Sequence, residues 1–140
     1  MNQSYKKDDL IFTFKAFSDE RGDLTIADAN PNGNFPFEIR RVFWISGVPK
    51  GQTRGTHAHQ WCSEALAAVH GSFKVKVDTG QGEPFVVELS SPGQGLLIPP
   101  LVWCELFDFS SDAVCLCLAS GGYDEEGYLK DYDAFVRFVK

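Results

Sequence analysis

Short apolar runs broken every few residues by turn-forming sequence predict an all-β chain, an antiparallel sandwich or barrel closed at its end by one helix. Three observations carry this. About nine segments rich in β-branched and aromatic residues are separated by clusters of Gly, Pro, Asn and Ser. Phe73-Lys74-Val75-Lys76-Val77-Asp78 alternates apolar and polar without a slip, the mark of a strand with one buried face. From Glu125 onward the period changes, and Tyr128, Leu129, Tyr132, Phe135, Val136 and Val139 recur at helical spacing.

Taken in order, residues 10–17 are β-prone and end at the turn Ser18-Asp19-Glu20-Arg21-Gly22-Asp23. Residues 24–27 return as a short second strand and complete a hairpin. Asn30-Pro31-Asn32-Gly33-Asn34 is a turn by composition, and residues 37–45 form the next strand. Residues 48–55 make a loop leading into a strand that carries His57 and His59. Sheet continues through residues 65–70, turns at Gly71-Ser72, and resumes over 73–78, 85–89, 96–98, 103–109 and 113–119. Asp124 suits the N-cap of the closing helix, and Glu125-Glu126 complement its positive end.

A length of 140 residues fits one domain, 1–140, with a real apolar core. The net charge of −6 argues against a nucleic-acid or membrane-surface binder, each of which needs a basic footprint. It leaves room for a small anionic ligand held by a few arginines. No run of about 18 apolar residues and no signal-peptide pattern is present, which predicts a cytoplasmic protein. Asn2-Gln3-Ser4 spells a glycosylation sequon, which a cytoplasmic chain leaves unused. Cys62, Cys104, Cys115 and Cys117 lack disulfide-framework spacing and read as free thiols; Cys115 and Cys117 share one face of a strand.

The chemistry concentrates in Arg54-Gly55-Thr56-His57-Ala58-His59. Residues i and i+2 of a strand project from one face, so both imidazoles point the same way. The spacing Gly51, five residues, His57-x-His59, four residues, Glu64, six residues, Gly71 resembles the first cupin motif. That resemblance implies a jelly-roll (double-stranded β-helix) barrel with the histidines aimed inside. In the second motif, opened by Gly95 to Pro99, Cys104 stands where a histidine is usual. His57, His59, Glu64 and Cys104 are all competent ligands for a divalent metal, so a metal-dependent cupin is one alternative.

The rest of the chain extends the likeness. Arg21-Gly22-Asp23-Leu24, Arg40-Arg41-Val42, Trp103, Asp108-Phe109-Ser110-Ser111-Asp112 and Leu118-Ala119-Ser120 with Tyr123-Asp124-Glu125 resemble the WxcM-like sugar 3,4-ketoisomerases acting on dTDP-4-keto-6-deoxyglucose. The resemblance implies a metal-free homodimer with exchanged N-terminal strands, making 3-keto sugars for deoxyaminosugars and lipopolysaccharide or other surface glycans. Three departures stand out: Phe43-Trp44 where the family has Tyr-Tyr, Glu64 where Gln is common, and Cys104.

Moving a ketone from C4 to C3 requires taking the C3 proton, forming an enediol and returning a proton at C4. Histidine suits both halves because its pKa lies near working pH. By resemblance and geometry His57 and His59 are the catalytic pair, with His59 favoured at carbon and the other ring relaying protons between oxygens. Guanidinium forks match phosphate oxygens, which makes Arg54, Arg41 and Arg21 candidates for the dTDP-sugar, Arg21 reaching a neighbouring subunit. Glu64, Trp103 and Cys104 are further candidates for the substrate wall. A sugar-binding cupin without catalysis and a nucleotide-sugar epimerase remain as alternatives.

Overall fold

Apolar residues at every second position of the central strands oblige two sheets to face one another. The computed structural model describes residues 4–33 and 35–140, so Asn34 of the expected turn and Asn2 of the sequon lie outside the described residues. The first strands are β1 (Ile11–Thr13), β2 (Lys15–Asp19), β3 (Gly22–Ile26), β4 (Arg41–Ser46), β5 (Arg54–His59) and β6 (Glu64–His70). They are followed by β7 (Phe73–Asp78), β8 (Phe85–Leu89), β9 (Gln94–Ile98), β10 (Trp103–Phe107), β11 (Val114–Ala119) and β12 (Tyr128–Leu129). A short helix α1 (Lys7–Leu10) precedes them and α2 (Tyr132–Val139) follows.

One sheet runs β1-β9-β6-β11-β4 and the other β12-β5-β10-β7-β8, while β2 and β3 pair only with each other. All these pairings are antiparallel. This is the expected jelly roll. Between the sheets lie Leu66, Phe73, Val75, Val77, Val87, Leu89, Leu96, Ile98, Leu106, Cys115 and Cys117, all buried. The outer face of the first sheet is apolar too: Ala65, Ala67 and Leu118 pack under Phe14 and Phe35. Behind the second sheet, Ala58 and Trp103 pack against Phe135 and Val139 of α2.

Three sequence expectations change. The strand over 10–17 is split at Phe14, whose amide donates to the Gly93 carbonyl at 2.9 Å, so β1 joins the sandwich and β2 leaves it. Leu10 belongs to α1 instead. The strand over 37–45 starts only at Arg41, because Phe37 and Ile39 turn onto the outer apolar cluster. The helix does not begin at Glu125. Asp124 caps a single 3-10 turn, Glu125–Gly127, accepting from the Glu126 amide at 3.1 Å. Tyr128 and Leu129 then pair with His59 and Ala58, and α2 starts beyond them, capped by Asp131, which accepts from the Asp133 amide at 3.0 Å. Backbone pairing across the sheet edge outweighs the local helical period.

Phe135 is fully buried between α2 and the second sheet, its ring 5.6 Å from that of Trp103. Phe135→Ala is expected to cost about 3–5 kcal/mol. Urea unfolding should show a lower midpoint with an unchanged slope.

Candidate active site

Strand β5 pairs with β10 through an irregular register: His57 lies opposite Cys104 and Arg54 opposite Leu106. Three steps on β5 thus match two on β10, a bulge that rests on Gly55 at φ +64°. The extra residue keeps Arg54 on the same side of the sheet as His57. A Cβ on Gly55 would lie 3.0 Å from Leu106 Cδ1, so both the conformation and the space favour glycine. Beyond the bulge the alternation is regular, with Ala58 outward beneath α2 and both imidazoles inward. The end of β5 is held on each side: the His59 carbonyl accepts from the Leu101 amide at 2.6 Å, and the Gln60 amide donates to the Gly127 carbonyl at 2.8 Å.

His57 Nε2 and His59 Nε2 are 3.1 Å apart, with the rings near perpendicular at 83°. His59 Nε2 is also 3.2 Å from Glu64 Oε2, and both residues are buried. Arg41 Nη2 lies 3.6 Å from the same oxygen. Glu64 and Arg41 start β6 and β4, and each pairs with Ala119 of the strand between them. That small residue leaves the inner surface clear for the two long side chains to meet. Neither Glu64 Oε2 nor Arg41 Nε has an aligned hydrogen bond, so proximity and charge hold the pair. The guanidinium also lies 5.0 Å from the Phe43 ring and 5.7 Å from that of Tyr123.

Tyr128 covers the histidines, its ring 4.8 Å from His57 and 4.4 Å from His59. A cavity of about 330 Å³ opens here, lined among others by Arg41, His59, Trp61, Tyr123 and Tyr128. Burial, reinforced by the neighbouring His59, pulls the His57 pKa down to about 4, and Glu64 opposes this only in part. Burial and the Glu64 charge push the Cys104 thiol up, so Cys104 stays protonated.

The candidate residues therefore divide. Arg41 and His59 line one cavity together; Glu64 lies behind His59 and touches it, away from the cavity wall. Arg54 lines a separate groove, beside Trp44, Gln52 and Thr53, that shares no lining residue with this cavity. Trp103 does not wall the cavity: β10 alternation turns it outward under α2, where its Nε1 donates to Glu105 Oε2 at 2.9 Å. Cys104 faces inward, but its thiol donates to the Gly55 carbonyl at 3.6 Å and forms no part of the cavity lining. Arg21 stands at the tip of the β2–β3 hairpin, ion-paired with Asp19 at 2.6 Å, and does not meet the histidines of its own chain. Tyr128, Tyr123 and Trp61 are the cavity residues that sequence reasoning missed; the helical spacing of Tyr128 with Tyr132 disguised a two-residue strand.

Donor atoms of His57, His59 and Glu64 lie within 4.8 Å of one another, a set that could hold a divalent ion. Cys104 is not in that set, which removes the fourth ligand of the metal alternative.

The model of a protein family described as "FdtA: WxcM-like, C-terminal" matches residues 7–140. A TDP-4-oxo-6-deoxy-alpha-D-glucose-3,4-oxoisomerase from Aneurinibacillus thermoaerophilus is 39% identical over 129 residues, covering 92% of this chain and 91% of that protein. Among solved structures, the sugar 3,4-ketoisomerase QdtA from Thermoanaerobacterium thermosaccharolyticum in complex with TDP superposes with a TM-score of 0.85 at 37% identity, covering 92% of each chain. WlaRA, a TDP-fucose-3,4-ketoisomerase from Campylobacter jejuni, gives 0.86 at 29% identity over 93% of this chain and 94% of that one. By sequence along nearly its full length and by fold, this chain belongs to the FdtA-type, WxcM-like family.

Proposed function

We propose that this chain is a TDP-sugar 3,4-ketoisomerase that moves the ketone of a TDP-linked 4-keto-6-deoxy sugar from C4 to C3. The observation that carries the reading is the His57–His59 pair, two imidazole nitrogens 3.1 Å apart, with His59 lining a cavity of about 330 Å³ and His57 directly behind it. The names of the family relatives support the substrate class.

The C3 proton is acidified by the adjacent carbonyl. His59 takes that proton; the C–H electrons form the C3=C4 bond and the former carbonyl oxygen is protonated. Loss of the C3 hydroxyl proton then makes C3=O, and C4 receives a proton. His57 is neutral at working pH, so it can pass a proton between the two oxygens in either direction. The diphosphate falls to Arg54 in this reading, a guanidinium on the strand that carries both histidines.

No metal is required in this scheme. Support comes from Arg41, which already sets a positive charge 3.6 Å from the Glu64 oxygen that an ion would have to claim. Exchange of N-terminal strands between two copies fits the β2–β3 hairpin, which bears Phe17 and Leu24 at 57% and 60% exposure. It would carry Arg21 toward a partner's cavity. Four free, buried cysteines support a reducing, cytoplasmic setting, and no helix among the described residues is long and apolar enough to cross a membrane. Supply of 3-keto sugars for deoxyaminosugars in lipopolysaccharide or other surface glycans is the matching role.

Incubation with TDP-4-keto-6-deoxyglucose in deuterated water, followed by NMR, should show the ketone at C3 and deuterium at C4. Hydrogen exchange beside an unmoved ketone would indicate an epimerase, and binding without exchange a non-catalytic sugar protein. His59→Asn should abolish turnover with unchanged circular dichroism. Elemental analysis of protein purified without chelator should find no stoichiometric metal; one bound ion per chain would overturn the metal-free reading.

The His57 shift also makes stability depend on pH. Its folded pKa lies below the ordinary 6.5, so the unfolded chain takes up the proton first. This contribution is complete above pH 6.5 and is lost as pH falls toward about 4. Urea midpoints should decline across that window, and His57→Asn should flatten the decline.

A further inference from the structure

We propose that Glu64 is a positioning residue whose carboxylate, balanced by Arg41 across Ala119, fixes the His59 proton on Nε2 and thereby assigns opposite roles to the two rings. For its kinetic part this rests on the ketoisomerase reading; its tautomer part does not. His59 Nε2 has two polar neighbours at hydrogen-bonding distance, His57 Nε2 at 3.1 Å and Glu64 Oε2 at 3.2 Å. A neutral imidazole has one N–H and one lone pair. A lone pair on His59 Nε2 would face the carboxylate oxygen, acceptor against acceptor, in a buried place where no water relieves it. The proton therefore sits on His59 Nε2 and is donated to His57 Nε2, while the carboxylate holds it there by charge and proximity rather than as a second acceptor.

The consequence travels one ring further. If His57 Nε2 accepts, the His57 proton is on Nδ1. His59 is left with a lone pair on Nδ1 and His57 with an N–H there, one ring ready to accept a proton and the other to give one. Those are the two functions an enediol mechanism needs at the same moment. Without the carboxylate, either ring could carry its proton on either nitrogen, and only part of the population would be correctly poised.

Arg41 completes the device. An unpaired carboxylate beside a developing enediolate would repel it. With its guanidinium 3.6 Å from Glu64 and set against Phe43 and Tyr123, Arg41 is committed to this carboxylate rather than to the substrate's phosphates.

Nitrogen-15 histidine NMR of the substrate-free protein at neutral pH tests the assignment directly. The expected pattern is an Nε2–H tautomer for His59 and an Nδ1–H tautomer for His57. Glu64→Leu should populate the other His59 tautomer, whereas Glu64→Gln, whose amide oxygen can put partial negative charge at the same place, should keep the original one. An Nδ1–H signal at His59 in the unaltered protein, or a pattern unchanged in Glu64→Leu, overturns the proposal. With TDP-4-keto-6-deoxyglucose, Glu64→Leu should lower kcat by at least about 100-fold, between the loss of an outer partner of a metal-bound histidine and the roughly 10⁴-fold loss of a triad aspartate, with little change in KM. Glu64→Gln should recover most of that loss; a loss confined to KM would make Glu64 a substrate ligand instead. Arg41→Met should lower both kcat and the thermal midpoint, and adding Glu64→Gln in the same chain should restore the midpoint. Additive losses would mean that Arg41 acts independently. If the unaltered protein leaves this sugar unchanged, the ketoisomerase reading fails, and the NMR pattern still decides the role of Glu64.

Discussion

A carboxylate as deeply buried as that of Glu64 is tolerated only where donors and positive charge surround it, and the order of the strands supplies both. Glu64 opens β6; β11 lies beside it, and β4 beyond that. Adjacent strands are spaced about 4.8 Å apart, so Arg41 on β4 must reach across one whole strand to meet Glu64. Ala119 makes the reach possible, being the residue that both partners flank. A larger side chain there would fill the inner surface between them. The opposite sheet brings His59 down onto the same oxygen, so the carboxylate ties the two layers of the sandwich together behind the cavity wall.

The outer layers serve the same site from behind. Alternation along β5 puts Ala58 between the two histidines and against α2, where it is fully buried. Its small size lets Trp103, Phe135 and Val139 close directly over the strand. Tyr132 reinforces this seal by donating to the buried carboxylate of Asp78 at 2.5 Å. Leu101, at φ +62°, turns the chain so that its amide meets the His59 carbonyl. A strained residue at this place is consistent with a turn whose shape is dictated by its partner strand. The histidines thus stand on a strand fixed at its edges and its rear, which suits chemistry that depends on placement within a fraction of an ångström.

Much of this was legible in the residues because period-two burial is a local signal. The alternation over 73–78 and the shared face of His57 and His59 follow from side chains leaving opposite faces of a strand, while the inward direction of that face and the place of Glu64 came from the resemblance to the first cupin motif. What escaped was set by partners distant in the chain. Tyr128 shares helical spacing with Tyr132 and Phe135, yet its backbone is claimed by β5, and nothing within residues 124–139 reveals that competition. Trp103 and Cys104 are neighbours with opposite fates, and the face each takes depends on the register of β10 against β7. The Arg41–Glu64 contact requires knowing that β4 and β6 flank the same strand, a fact of topology and not of pattern. Arg54 lies on the same strand as the histidines, but the bulge at Gly55 between them was invisible without the pairing.

Charge decides how such a site treats an anionic intermediate. An enediolate oxygen about 4 Å from a lone carboxylate would meet a repulsion on the order of 4 kcal/mol at an effective dielectric constant near 20. A barrier raised by that amount would slow the reaction roughly a thousandfold. The Arg41 guanidinium, 3.6 Å from the Glu64 oxygen, opposes that repulsion with a field of similar size. The carboxylate can then orient His59 through its short contact while contributing little net field at the sugar. If Glu64 orients His59 and Arg41 cancels the cost of doing so, as proposed, neither has a separable share of catalysis. The substrate's own diphosphate charge must consequently be met by other residues, and the groove containing Arg54 lies outside this neutralised pair.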